Sequence, residues 1–74
     1  MAKNVTENRC KMVYAYYPNG GIRMETPTLN GVKHGVERYY RLDGTLDAEV
    51  EYQNGLQVGK ERWFRPSGEL EKEF

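Results

Sequence analysis

Displaced by 24 residues, the sequence lies back on itself, and no other feature restricts the possible folds as tightly. The shift brings Tyr16 onto Tyr40 and Phe64, Gly20 onto Gly44 and Gly68, and Ile22 onto Leu46 and Leu70. It superposes the acids Glu25, Glu49 and Glu73, sets Asn30-Gly31 on Asn54-Gly55 and Gly35 on Gly59, and lays Glu37-Arg38-Tyr39 on Glu61-Arg62-Trp63 without an insertion. Seven of the eight glycines keep the period, Gly21 alone standing outside it. Glycine reaches positive φ at no steric cost, so the repeated glycines mark turns.

Each repeat holds two turn signals, an Asn/Asp/Ser-Gly pair and, about ten residues later, Asn-Gly followed by a further Gly. That spacing suits β-hairpins. Between the turns, β-branched and aromatic residues predominate and glycines break any helical run, so helix is set aside. The expectation is an all-β antiparallel meander of about six short strands, near 10–17, 22–29, 35–42, 45–52, 59–65 and 69–73, in three tandem hairpins forming an open, single-layer twisted sheet. Residues 1–11 lead into the first strand, and residues 12–74 form the repeat domain. Pro27 removes a ladder donor and marks an edge or bulge in a first repeat that is the irregular cap.

The most regular strand is Leu46-Asp47-Ala48-Glu49-Val50-Glu51-Tyr52, in which apolar and acidic side chains alternate so that one face is dry. A three-residue Asp43-Gly44-Thr45 loop sets Leu42 opposite Leu46, Tyr40 opposite Ala48, Arg41 opposite Asp47 and Tyr39 opposite Glu49. On that register Tyr16, Tyr40 and Phe64 are core, while Tyr39 and Trp63 stand on a polar face. A bulge between Asn54-Gly55 and Gly59 could exchange the faces, and the sequence leaves that parity open. The stripe of Leu46, Ala48, Val50 and Tyr52 has nothing else to cover it, and a homodimer is expected on that ground.

Lys plus Arg and Asp plus Glu number 11 each, giving a formal net charge of zero. Neutrality removes the electrostatic footprint of a nucleic-acid binder, and interleaved acids such as Glu37 and Glu61 count against reading Arg38, Arg62 and Arg65 beside Tyr40, Trp63 and Phe64 as a base-stacking platform. A 74-residue chain holds one small domain with little room for a buried cleft. Cys10 and His34 are the sole cysteine and histidine, so no internal disulfide, multi-thiolate metal site or His-based catalytic set is expected. His34 is read as a turn residue. Glu69, Glu71 and Glu73 are read as a solvated strand face rather than acid–base machinery. The expectation is no catalytic residues, no metal and no cofactor, and the lone thiol and absent apolar leader point to the cytoplasm, away from membranes.

The strings Tyr16-Tyr17-Pro18-Asn19-Gly20 and Asn30-Gly31 with Lys33-His34-Gly35, recurring as Tyr40 to Gly44 and Asn54-Gly55 to Gly59, resemble the MORN repeat. More narrowly, they are similar to the bacterial variant of that repeat in the YwqK-type family described as antitoxins. The resemblance spans residues 12–74; it departs at Val58, which stands where the first repeat has His34, and the third repeat stops after its second strand. It implies an open antiparallel sheet that works by binding rather than catalysis, and an antitoxin-like protein that neutralises a partner by masking it. Rival expectations are a phage-encoded inhibitor of a host defence system, such as an anti-CRISPR, and a structural or oligomerising module. For contact with a partner protein the candidates are Tyr39 and Trp63, of the types enriched in binding hot spots, with Arg41, Arg65 and Tyr17.

Overall fold

The structure, a computed structural model, describes residues 9–74. It is all β, with strands β1 (Cys10–Tyr16), β2 (Ile22–Leu29), β3 (Val32–Lys33), β4 (Gly35–Tyr40), β5 (Leu46–Gln53), β6 (Leu56–Phe64) and β7 (Leu70–Glu73). One open antiparallel sheet runs β1-β2-β4-β5-β6-β7, with β3 pairing β2 beside β4. The expected meander is present. The strand placed at 35–42 is preceded by a separate two-residue piece, because the ladder breaks at His34. Of the expected leader 1–11, residues 1–8 lie outside the described residues, and Cys10 and Lys11 already belong to β1.

Two turn types alternate, and the repeated residues dictate both. At Asn30-Gly31 and Asn54-Gly55 both residues have positive φ (53° and 88°, 52° and 85°), the signature of a two-residue type I′ hairpin. The other turn occurs three times. Arg41 donates its N–H to the Thr45 carbonyl at 2.8 Å and Gly44 donates to the Arg41 carbonyl at 2.9 Å, and Tyr17 to Gly21 and Arg65 to Glu69 repeat the arrangement. The loop is therefore Leu42-Asp43-Gly44, one residue earlier than the expected Asp43-Gly44-Thr45. Gly44 closes it at φ 91°, and Pro18 and Pro66 occupy the position of Leu42, where a type I turn favours proline.

That displacement corrects the register. Tyr39 pairs with Ala48 and Arg38 with Glu49, whereas Tyr40 pairs with Leu46, leaving Asp47 as a bulge. The same bulge occurs at Arg23 between β1 and β2 and at Glu71 between β6 and β7. Directly opposed residues share a face. One face therefore carries the rows Ala15-Met24-Tyr39-Ala48-Trp63-Lys72 and Thr26-Glu37-Val50-Glu61, and the other carries Glu25-Arg38-Glu49-Arg62-Glu73 with Tyr40, Leu46, Phe64 and Leu70. The expected assignment of Tyr39 and Trp63 to the polar face and of Tyr40 and Phe64 to the dry one is reversed. Tyr16, expected in the core, is 57% exposed.

The sheet has little conventional core. Ala48 is 1% exposed and Val50 8%, and the other buried residues among those described are Thr26 and Glu37. The Ala48–Val50 stripe is covered from within, since Tyr39 and Trp63 flank Ala48 while Glu37 and Glu61 flank Val50. Leu46 lies on the opposite face. The uncovered stripe on which a dimer was expected is therefore absent. At Gly35 a Cβ would meet the Pro27 ring at 2.9 Å, which makes it a close-approach position, and at the equivalent Gly59 it would meet the movable end of the Glu51 side chain at 2.6 Å. Pro27 sits within β2, where the ladder to β4 has stopped and its carbonyl accepts the His34 N–H at 3.0 Å, so it marks the irregularity rather than an edge.

The three-residue loop makes two opposite predictions. A Cβ at Gly44 meets nothing within 4 Å, so Gly44→Val is penalised through its backbone alone, by about 1–2 kcal/mol or more for a β-branched residue. Leu42→Pro places proline where the other two repeats already have it and should stabilise by about 0.4–1 kcal/mol. Thermal melting followed by circular dichroism checks both, and a Tm unchanged or raised in Gly44→Val contradicts the turn.

Candidate partner-binding face

The face that carries Tyr39 and Trp63 is built around carboxylates. Glu37 is 0% exposed, yet each of its oxygens has a donor. Thr26 Oγ1 donates to Oε2 at 2.6 Å, Tyr39 Oη donates to Oε1 at 2.5 Å, and Lys33 Nζ lies 3.1 Å from Oε2. Among the described residues no buried side-chain polar atom lacks a partner. Burial by itself pushes the Glu37 carboxyl up, but the bonds from Thr26, Tyr39 and Lys33 outweigh it and hold the group below its ordinary value. Burial, and then the bond to Glu37, push the Tyr39 hydroxyl well above its ordinary value.

The next repeat rebuilds the device with different atoms. Trp63 Nε1 donates to Glu61 Oε2 at 2.7 Å and Gln57 Nε2 donates to Glu61 Oε1 at 3.2 Å, so Trp63 replaces Tyr39 and Gln57 replaces Lys33. In both repeats a glutamate grips the polar atom of the aromatic ring two residues on. Each ring is thereby tied down in a strand position directly opposite Ala48. Lys33 Nζ lies 4.6 Å from the Tyr52 ring centre and Lys72 Nζ 5.8 Å from that of Trp63, so cations border the aromatic surface on both sides.

The opposite face carries a charge ladder crossing five strands. Arg38 lies 3.5 Å from Glu25 and 2.9 Å from Glu49, and Arg62 lies 3.8 Å from Glu49 and 2.8 Å from Glu73. Each pair is worth little when exposed, about 0.2–1 kcal/mol, but half-buried alternating charges also penalise a slipped register.

The five expected contact residues fall into two groups. Tyr39 and Trp63 lie in one row of the aromatic face, on either side of Ala48, both half-buried. Tyr17, Arg41 and Arg65 occupy equivalent positions at the starts of the three-residue loops; Tyr17 and Arg41 join repeats, whereas Arg65 pairs with Glu69 in its own loop at 3.9 Å. Tyr17 Oη donates to the Tyr40 carbonyl at 2.6 Å, and Arg41 Nη2 donates to the Phe64 carbonyl, also 23 residues on. Arg41 Nη1 additionally donates to the Leu46 carbonyl at 2.9 Å, and Nη2 lies 3.1 Å from bulged Asp47. Sequence reasoning missed Glu37, Glu61, Lys33 and Lys72; the signal available was the joint repetition of a glutamate with a ring N–H or O–H two residues later.

His34, expected in a turn, lies instead in the one-residue break between β3 and β4, its Nδ1 accepting the Asn54 N–H at 3.3 Å, and it lines with exposed Cys10 a shallow open groove of about 250 Å³. Among the described residues no three His, Cys, Asp or Glu side chains form a group able to hold a metal ion, and no helix is long and apolar enough to cross a membrane.

Residues 33–54, from Lys33 to Asn54, match the family model described as a MORN repeat variant. The matched segment runs from β3 through β5 and contains Glu37, Tyr39, the Leu42-Asp43-Gly44 loop and the Ala48–Val50 core. The hairpin from Lys33 to Asn54 is thus similar to a MORN repeat variant. No curated protein and no solved structure matches the chain.

The Glu37 network predicts a pH dependence. Its carboxyl is lower in the folded chain than in the unfolded one, so its stabilisation is complete above the unfolded value of about 4.3 and is lost as pH falls through the lower folded value. Glu37→Gln should lower the Tm at pH 7 and flatten the decline of Tm below about pH 4.3, measured by circular dichroism melts across pH. An acid slope as steep in the variant as in the wild type contradicts the assignment.

Proposed function

We propose that this chain is a non-enzymatic binding module that acts, antitoxin-like, by covering a functional surface of a partner protein in the cytoplasm. What supports this reading is the Tyr39-Ala48-Trp63 row. Its two rings are half-exposed, locked by Glu37 and Glu61, and bordered by Lys33 and Lys72. Rings that need no further ordering lose little entropy when a partner packs on them, and Tyr and Trp dominate binding hot spots for that reason. A component of a host defence complex would be masked by the same face as a toxin. The flanking acids weigh against nucleic acid or an anionic membrane as the target.

A second reading, self-association into a homodimer, draws support from β1. Met12, Tyr14 and Tyr16 lie exposed on one face of that strand with Ile22 beside them, an apolar cluster at one side of the sheet. Light scattering coupled to size exclusion separates it from the first reading, because a monomeric mass across micromolar concentrations removes it.

The partner reading is tested with a substitution supplied by the repeat itself. Trp63→Tyr gives the third repeat the ring of the second, so Tyr can donate to Glu61 as Tyr39 does to Glu37 and the fold is kept. Affinity capture with the wild-type chain, followed by titration of the purified pair and a co-expression growth assay, supplies the readouts. The expected result is a Tm within a few degrees of wild type, affinity reduced about tenfold and weaker neutralisation of the partner. Equal affinity in Trp63→Tyr and in a folded Tyr39→Phe variant places the contact elsewhere.

A further inference from the structure

The geometry points to a proline-rich segment of a partner protein, in the polyproline II conformation, as the occupant of the Tyr39-Ala48-Trp63 row. The inference deepens the binding function and rests on that reading, naming the chemistry of the partner at the same face. Two prolines three residues apart stack there, one on each ring.

Spacing is the first ground. Tyr39 and Trp63 both pair with Ala48, from opposite sides, so the two ring positions stand two inter-strand steps apart, about 9.5 Å. A polyproline II helix rises about 3.1 Å per residue and turns once in three, so residues i and i+3 present the same side about 9.3 Å apart. A segment crossing the strands therefore reaches both rings at once. An extended β segment laid the same way repeats its facing side at about 6.7 and 13.4 Å and meets one ring but not both. An α-helix returns to the same face only after about 10.5 Å, and it needs a broad apolar bed.

Width and chemistry are the second. On one side the row is bounded by Thr26, Glu37 and Glu61, with Val50 buried among them, and on the other by Arg41 and Arg65, two residues past each ring. The apolar strip is thus one side chain wide, which suits the narrow ridge of a polyproline helix and would leave the flanks of an amphipathic helix resting on charges. Tyr39 Oη and Trp63 Nε1 are turned to Glu37 and Glu61, so the rings offer carbon, the surface on which proline packs. Lys72 follows Trp63 in the row and meets the rings of Trp63 and Phe74, so it favours an acidic residue just past the proline on Trp63. Nothing in the 74 residues supplies such a ligand, because Pro18 and Pro66 lie in loops, Pro27 lies within β2 and residues 1–8 contain no proline. Further repeats of the same period would add strands at the sheet edge, in its plane, and leave the face above β5 open.

The probes are two short synthetic peptides of identical composition with a glutamate at each end, one carrying two prolines three residues apart and the other carrying them two apart. Each is titrated into the full chain and followed by the fluorescence of Trp63, its one tryptophan. The wild type is expected to bind the first peptide about tenfold more tightly than the second. Tyr39→Leu leaves Trp63 as the single platform, and should weaken the first peptide about tenfold and abolish the preference. If that variant fails to fold, the two peptides on the ¹⁵N-labelled wild type still decide, with amide shifts expected at Tyr39, Ala48 and Trp63. Equal binding of both peptides, binding of neither, shifts confined to other rows, or a bound peptide that turns helical by circular dichroism overturns the proposal. A captured partner whose affinity falls in Trp63→Tyr keeps this face as the contact even when neither peptide binds, so the two readings fail separately.

Discussion

Everything in this sheet follows from the pairing of Tyr39 with Ala48. A strand displaced by one residue sends every side chain to the other face, so a single register decides which groups are sheltered and which are wet. Here it is set by two devices acting together, the three-residue loop ending at left-handed Gly44 and the bulge at Asp47 that absorbs one extra residue. Because both recur in all three repeats, at Gly20 with Arg23 and at Gly68 with Glu71, the register is imposed three times over. Arg41 links the two devices, bonding the Leu46 carbonyl and pairing with bulged Asp47 while reaching forward to Phe64.

Given that register, the chain resolves the difficulty of a single layer with side chains instead of a second layer. A sheet of this size has little apolar area to bury, and among the described apolar residues only Ala48 and Val50 are buried. Small residues in the central strand leave room for tall neighbours, and the tall neighbours are tied down by glutamates. A buried carboxylate such as Glu37 is costly without partners, and with three donors it becomes the point that fixes the Tyr39 ring. On the other face the ladder from Glu25 to Glu73 does comparable work in a wetter setting, where its value lies in disfavouring slipped pairings more than in the energy of any one pair.

The period, the turn glycines, the meander and the strand positions were legible, because Asn-Gly and the loop glycines have one local meaning at that spacing. The faces were not. The strict alternation from Leu46 to Tyr52 reads as one uninterrupted strand, and nothing in it reveals that Asp47 is a bulge which separates Leu46 from Ala48. Nor does an isolated glutamate announce burial, since Glu37 becomes a core residue only through Thr26, 11 residues earlier, and Lys33 on a neighbouring strand. Tyr17, Arg41 and Arg65 were found as a set, but the place of Tyr17 and Arg41 as ties between repeats depends on a loop that brings carbonyls 23 residues away within reach.

The central claim is therefore that Tyr39 and Trp63, and not Tyr40 and Phe64, share a face with Ala48. Nuclear Overhauser effects from the Ala48 methyl group in a ¹³C,¹⁵N-labelled sample test it most directly. The account predicts cross-peaks from that methyl to the ring protons of Tyr39 and the indole protons of Trp63. Cross-peaks to the rings of Tyr40 and Phe64 in their place would contradict it.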